Sequence, residues 1–85
     1  MLEQPLVLDV RPREEFETGN HPGSLNIPLP ELPSRARELD PRRPILVCCA
    51  SGTQCVSAKA VLEQRGFTKV RNAGSWQRIE HMHEL

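Results

Sequence analysis

All three cysteines of this 85-residue chain lie within residues 48–55, at the end of the stretch ILVCCASGTQC. Cys48 and Cys49 end an apolar run that is typical of a buried strand, and Cys55 begins a segment with a helical pattern. The residues between them, 50–54, are small and polar and are called the cysteine loop below. Their backbone N–H groups and those of the helix N-terminus can converge on one point and stabilise an anion there. A thiolate at that point would have a pKa below the free value of about 8.5, so the pattern predicts a nucleophilic Cys49.

The other two cysteines have simpler interpretations. Side chains alternate along a strand, so Cys48 should point to the opposite face from Cys49, where a small buried thiol is ordinary. A disulfide between these neighbours is disfavoured because adjacent strand side chains diverge. From its position alone, Cys55 is a small residue at the start of a helix.

Length and composition predict one small globular domain over residues 1–85. Hydrophobic residues make up 38% of the chain, and a formal net charge of zero gives no basic field for nucleic acid or anionic lipid. No apolar run approaches the roughly 20 residues that cross a bilayer. The N-terminus lacks the pattern of a signal peptide, so we expect the cytoplasm, or the periplasm if a signal peptide has been removed. Three closely spaced cysteines fit neither a secreted disulfide framework nor a zinc site, and we expect no metal and no cofactor.

Apolar runs alternate with helical patterns along the chain. Strands are predicted over 5–10 and 42–49, and a third strand with a turn over 67–74. Helices are predicted over 11–19, over 34–40 with Ser34 as the N-cap, and over 54–66 with Val56, Ala60 and Leu62 facing inward. Residues 20–33 should be mostly turn and extended chain, and residues 75–85 a short helix or a frayed tail. This alternation predicts a small α/β domain with a central, mainly parallel sheet flanked by short helices.

Four motifs, in this order, resemble those of rhodanese domains, the thiosulfate sulfurtransferases. LVLDVRPREEFETG is similar to the family's first strand with its Asp-x-Arg motif, here Asp9 and Arg11, and the acidic helix after it. GNHPGSLNIPL is similar to the family's GHIPGAINIPL. The cysteine segment and its helix resemble the family's active-site segment, and GFTKVRNAG resembles the strand that leads to NAGG. The resemblance covers nearly the whole chain, whose shortness is similar to the compact single-domain type of phage shock protein E.

The resemblance implies an enzyme in which Cys49 is the catalytic cysteine. The cradle for substrate and persulfide would be formed by Ala50, Ser51, Gly52, Thr53, Gln54 and Cys55. The implied reaction takes the outer sulfur of thiosulfate, or of another sulfane-sulfur donor, onto Cys49 and releases sulfite. The resulting persulfide then passes its sulfur to cyanide or to a thiol acceptor.

The cysteine loop departs from the family pattern in its charge. Thr53 and Gln54 stand where many active members carry a basic residue, which would help to bind dianionic thiosulfate. We therefore expect weak thiosulfate binding, which a Thr53→Arg substitution should improve. The alternative function is a persulfide carrier or binding module that exchanges sulfur with a relay protein. A weak basic rim or a solvated face is expected from Arg65, Lys69, Arg71 and Arg78.

Three other residues have two interpretations each. Cys55 occupies the place of the arginine of phosphatase relatives, so phosphatase activity is not expected. It is either a residue packed against the loop or a second thiol that attacks a persulfide on Cys49 or forms a disulfide with it, as in a redox switch. Asp9 and Arg11 either support the cysteine loop or have a structural role, as an ion pair or in a pairing with Glu14 or Glu15. The structural role is preferred because ion-pair networks often resemble functional charge sites.

Overall fold

The computed structural model describes residues 4–81, and they form a four-stranded parallel sheet with the strand order β2-β1-β3-β4. The strands are β1 (Leu6–Asp9), β2 (Leu25–Asn26), β3 (Ile45–Cys49) and β4 (Val70–Ser75). All three pairings are parallel, so the predicted small α/β architecture is confirmed. The two-residue β2 is an addition, because its segment was predicted as turn and extended chain. In a parallel sheet the carboxyl ends of the strands meet at one edge, where open α/β folds bind ligands.

Short helices cover the sheet. The α-helices are α1 (Arg13–Thr18), α2 (Leu32–Arg35) and α3 (Thr53–Gln64), and 3-10 turns span Leu29–Glu31, Ala36–Glu38 and Trp76–His81. The predicted N-cap at Ser34 is wrong, because α2 begins two residues earlier, with Pro33 in its first turn. Proline suits that place, since its missing N–H has no intrahelical partner there. Ser34 instead donates a hydrogen bond from its hydroxyl to the carbonyl of Glu31 at 3.1 Å. The predicted tail becomes a 3-10 turn up to His81, and residues 82–85 lie outside the described part.

Helix α3 buries a different stripe from the one predicted. Its buried residues are Cys55, Ala58 and Leu62, whereas Val56 is 64% exposed. The spacing of three and four residues places the buried three on one helical face. Val56 and Ala60 were therefore assigned to the wrong face, and only Leu62 was assigned correctly. The helix ends where expected, just before Gly66, whose φ of +92° suits a glycine beyond a helix C-terminus.

Strand β3 contributes to the packing on both faces of the sheet, and all five of its residues are buried. Cys49 belongs to the larger cluster, beneath α3, together with Val47, Cys55 and other apolar side chains. Cys48 belongs to the smaller cluster on the other face, with Leu46, Ala73 and Ile79. The prediction that the two adjacent cysteines face opposite sides is confirmed. Within residues 4–81, no helix is long and apolar enough to cross a membrane.

Candidate functional site

The sulfur of Cys49 lies where β3 gives way to the cysteine loop. The chain turns at Gly52, whose φ of +99° is in the left-handed region that side chains with a Cβ rarely adopt. This turn directs the Gly52 N–H to the Cys49 Sγ at 2.9 Å. Helix α3 begins at Thr53, slightly earlier than predicted, so the last two residues of the loop are the first two of the helix. The predicted convergence of backbone donors on Cys49 is what this geometry provides.

The side chains of the cysteine loop are largely exposed to solvent. Ala50, Ser51 and Thr53 are exposed, and Gln54 is half-buried. The hydroxyl oxygens of Ser51 and Thr53 are 3.4 Å apart. The loop therefore acts on Cys49 through its backbone, and its hydroxyl groups face the solvent where a ligand would approach.

Cys55 is fully buried beside Cys49. Its thiol donates a hydrogen bond to the Cys49 Sγ, with 3.0 Å between the two sulfur atoms. It also lies 3.4 Å from the carbonyl oxygen of Val47 and 3.7 Å from that of Gly74. Cys55 is thus packed against the cysteine loop, and its thiol also contacts the Cys49 Sγ. The two interpretations from the sequence, a packing residue and a second thiol beside Cys49, are therefore compatible.

The three cysteines have different acidities because of these surroundings. Burial by itself would raise the pKa of Cys49, but the hydrogen bond from the Cys55 thiol and those from backbone N–H groups outweigh it, and the pKa lies below its ordinary value. Burial, followed by the nearby Asp9 carboxylate, raises the pKa of Cys48 to about 12. Burial and the hydrogen bond to Cys49 also raise the pKa of Cys55. Of the three, Cys49 is the thiol that ionises most easily.

This ordering predicts the pH dependence of the Cys49 thiolate. Since its pKa is lowered, the thiolate should persist below the pH at which a free thiol, with a pKa of about 8.5, is protonated. Replacing Cys55 with alanine removes the thiol donor, so the Cys55→Ala midpoint should move to higher pH. A titration of thiolate absorbance in the ultraviolet measures the midpoint in the wild-type protein and in Cys55→Ala, with Cys48→Ser as the matched control. An unchanged midpoint in Cys55→Ala would show that Cys55 does not stabilise the thiolate.

Strand β4 holds the far side of the loop through a β-bulge. Val47 pairs with Asn72 and Cys48 with Gly74, so Ala73 is the extra residue. The Asn72 side chain accepts a hydrogen bond from the Gly74 N–H at 2.8 Å and donates one to the Gly52 carbonyl at 3.5 Å. Sequence reasoning gave Asn72 no role, although the NAG motif that contains it was the available signal.

Arg78 brings a positive charge to the cysteine loop. An open depression of about 760 Å³ is lined by residues that include Ser51, Gly52, Thr53, Asn72, Gly74 and Arg78. A Cβ added to Gly74 would lie 3.4 Å from Arg78 Nη1, so the guanidinium lies beside Gly74, whose carbonyl contacts Cys55. From the sequence, Arg78 belongs to a weak basic rim or a solvated face. Arg65, from the same set, donates hydrogen bonds to the carbonyls of Pro33 and Val61.

Asp9 and Arg11 form a buried ion pair, with Arg11 Nη2 2.8 Å from Asp9 Oδ2. Asp9 pairs with Cys48 in the sheet register, and neither residue contacts the Cys49 sulfur in any hydrogen bond of the described part. Arg11 also donates to the Gly19 carbonyl at 2.7 Å and lies 4.8 Å from the Trp76 ring centroid. The pair therefore ties the end of β1 to the end of α1 and to the last 3-10 turn.

Comparison with known proteins gives matches over most of the chain. A family model described as a rhodanese-like domain matches residues 1–81. Thiosulfate sulfurtransferase PspE of Escherichia coli is 35% identical over 74 residues, which are 85% of this chain and 71% of that protein. A solved structure, "rhodanese with anions from E. coli", superimposes with a TM-score of 0.80 at 34% identity, covering 87% of this chain and 89% of the other.

Two longer relatives match with a smaller share of their own length. The putative sulfur carrier protein YrkF of Bacillus subtilis is 41% identical over 66 residues, covering 78% of this chain but 36% of that protein. The HTH-type transcriptional regulator Rv0324 of Mycobacterium tuberculosis is 46% identical over 52 residues, covering 61% of this chain and 23% of that protein. The chain thus spans about a third or less of these two relatives.

Proposed function

The chain belongs to the rhodanese-like domain family, a family of sulfurtransferases and sulfur carriers, and on that premise we propose that it transfers the sulfane sulfur of thiosulfate through a persulfide on Cys49. One observation carries the proposal. The Cys49 Sγ accepts hydrogen bonds from the Gly52 N–H at 2.9 Å and from the Cys55 thiol at 3.0 Å. A thiolate stabilised in this way is a nucleophile that needs no separate general base.

The first step of the proposed reaction loads the sulfur. The Cys49 thiolate attacks the outer sulfur of thiosulfate, the S–S bond of thiosulfate breaks, and sulfite leaves with the electron pair. Cys49 is only 1% exposed, so the donor must present a slender group to it. The sulfane sulfur of thiosulfate is a single terminal atom, which meets that requirement.

The second step unloads the sulfur. Cyanide or a thiol acceptor attacks the outer sulfur of the persulfide, and the bond to the Cys49 Sγ breaks with its electron pair returning to Cys49. The thiolate formed is again held by the Gly52 N–H and the Cys55 thiol. Because these donors are already in place, the site stabilises the leaving thiolate without reorganising.

Arg78 is proposed to supply the cation that the cysteine loop lacks. It lines the same depression as Thr53, so a thiosulfate dianion there would lie near the guanidinium. We expect Arg78→Gln to raise the KM for thiosulfate by about two- to fivefold, the range of an exposed charge interaction, with little change in kcat. Steady-state kinetics at low salt measures this effect, with the exposed Arg71→Gln as the matched control.

A rescue sharpens that prediction. Adding Thr53→Arg to the Arg78→Gln variant restores a cation on the rim of the same depression, so the KM for thiosulfate should fall again. Equal KM values in the wild-type protein and in Arg78→Gln would show that Arg78 does not contact the donor.

A persulfide carrier is the second candidate function. It is favoured by the neutral Thr53 in the cysteine loop and by the similarity to the putative sulfur carrier YrkF. Thiocyanate formation from thiosulfate and cyanide separates the two functions. An enzyme turns over many times with micromolar protein and millimolar thiosulfate, whereas stoichiometric loading without turnover would contradict the enzymatic proposal and support the carrier.

A further inference from the structure

Cys55 places a second thiol where a persulfide on Cys49 would be vulnerable. The proposed transfer needs only a hydrogen-bond donor at this position, and the backbone N–H groups already provide several. A second sulfur atom 3.0 Å from the Cys49 Sγ adds a chemical group that can form a bond to it. Both side chains belong to the same packed cluster, so the contact is held by the core and not by a mobile surface.

We propose that Cys55 resolves the Cys49 persulfide, releasing the sulfane sulfur as hydrogen sulfide and leaving a disulfide between Cys49 and Cys55. The inference rests on the proposed function because it needs a persulfide on Cys49. It adds an activity to sulfur transfer: in the presence of thiols the chain would reduce the sulfane sulfur of thiosulfate to sulfide.

The step balances without an added oxidant. A bond forms between the Sγ atoms of Cys55 and Cys49, and the bond between the Cys49 Sγ and the outer sulfur breaks. The outer sulfur leaves with that electron pair, takes the proton of the Cys55 thiol and departs as hydrosulfide. The two cysteine sulfurs are oxidised to the disulfide, and the sulfane sulfur is reduced to sulfide. External thiols then reduce the disulfide by thiol–disulfide exchange and reset the site.

The contacts of Cys55 favour attack at the inner sulfur. Its thiol contacts the Cys49 Sγ from the first turn of α3 and also lies near the carbonyls of Val47 and Gly74. The Gly52 N–H approaches the same sulfur from the cysteine loop. Attack at the inner sulfur therefore needs no movement of Cys55 toward the outer sulfur, because the Cys55 thiol already contacts the Cys49 Sγ. Burial raises the pKa of Cys55, so it keeps its proton in the resting state and does not compete with Cys49 for the donor.

Cys48 provides an internal control. It is also buried and directly adjacent in sequence, but it packs on the opposite face of the sheet, with Leu46 and Ala73. Its thiol cannot reach the Cys49 sulfur while the strand stays paired. Cys48→Ser therefore removes a neighbouring buried thiol without touching the proposed step, and release of sulfide without an oxidant distinguishes that step from general oxidation of cysteines.

A single-turnover experiment tests the inference. The reduced protein, freed of reductant under anaerobic conditions, is mixed with thiosulfate, and both released sulfide and intact mass are measured. We expect the wild-type protein to release stoichiometric sulfide and to lose the mass of two hydrogen atoms, with a Cys49–Cys55 link found by fragmentation. Cys55→Ser should instead gain the mass of one sulfur atom and release at least roughly tenfold less sulfide, because the resolving thiol is absent. Cys48→Ser should behave as the wild type.

The outcomes separate this inference from the proposed function. Wild-type protein that keeps an added sulfur and releases no sulfide overturns the resolving role of Cys55 and leaves sulfur transfer intact. Loss of sulfide release in folded Cys48→Ser protein also overturns it. If neither the wild type nor Cys55→Ser changes mass with thiosulfate, the proposed function itself fails. Mapping the link in the wild-type protein keeps the test decisive even if a variant does not fold.

Discussion

Cys49→Ser is expected to lower thiosulfate turnover by a factor on the order of 10³ or more, the scale on which loss of a nucleophile acts. A serine hydroxyl stays protonated at neutral pH, whereas the hydrogen bonds from Gly52 and Cys55 favour the thiolate of Cys49. Serine at this position also cannot form a persulfide. Thiocyanate formation from thiosulfate and cyanide measures the loss.

Cys48→Ser is the matched control for that variant. It makes the same atomic change one residue away, on the face of the sheet that does not contact the cysteine loop. Its thiol has a pKa of about 12, raised mainly by burial, so it contributes no thiolate at neutral pH. Turnover per folded molecule should therefore stay near the wild-type value. Equal losses in the two variants would contradict a specific role for Cys49.

Asp9→Asn is expected to lower the free energy of unfolding by about 3 kcal/mol, the scale for removing one partner of a buried ion pair. Asp9 is 0% exposed and Arg11 is 4% exposed, and Arg11 donates three side-chain hydrogen bonds to the carboxylate. The asparagine keeps the size of the side chain but leaves the Arg11 guanidinium buried without its counter-charge. Because small domains are stable by only about 5–15 kcal/mol, the effect should be plain in urea denaturation.

Asp40→Asn is the matched control for stability. Asp40 is partly exposed and contacts the exposed Arg42 at 3.6 Å, so its loss should change stability little. Asp9 lies beside Cys48 and not beside Cys49. We therefore expect Asp9→Asn to change kcat per folded molecule little, although it lowers the free energy of unfolding. If Asp9→Asn had the wild-type free energy of unfolding, the buried ion pair would not stabilise the fold. A large loss of kcat in the folded variant would instead indicate a functional role for the pair.

The local pattern of the sequence predicts the elements that position the site. An apolar run followed by small polar residues and a helical pattern is enough to place Cys49 at a strand end, beneath converging N–H groups. Strict alternation along a strand is enough to separate Cys48 from Cys49. Both inferences depend on backbone geometry that repeats in all proteins, so one sequence suffices for them.

Other features depend on packing that a single sequence does not specify. The inward stripe of α3 was misjudged at Val56 because the helix begins at Thr53 and Cys55 faces the sheet. The contact between the sulfurs of Cys55 and Cys49 depends on where that helix sits against β3. Arg78 lies more than twenty residues from the cysteine loop in sequence. The bulge in β4 and the 3-10 turn after it bring Arg78 beside the loop. Such long-range contacts have no local signature.

Fragmentation mass spectrometry of thiosulfate-treated Cys55→Ser protein tests the central claim most directly. This variant keeps a hydroxyl donor beside Cys49 and removes the thiol that would discharge a persulfide. The account predicts a gain of the mass of one sulfur atom, located on Cys49 and lost on treatment with cyanide. An unchanged mass, or a sulfur atom located on Cys48, would contradict it.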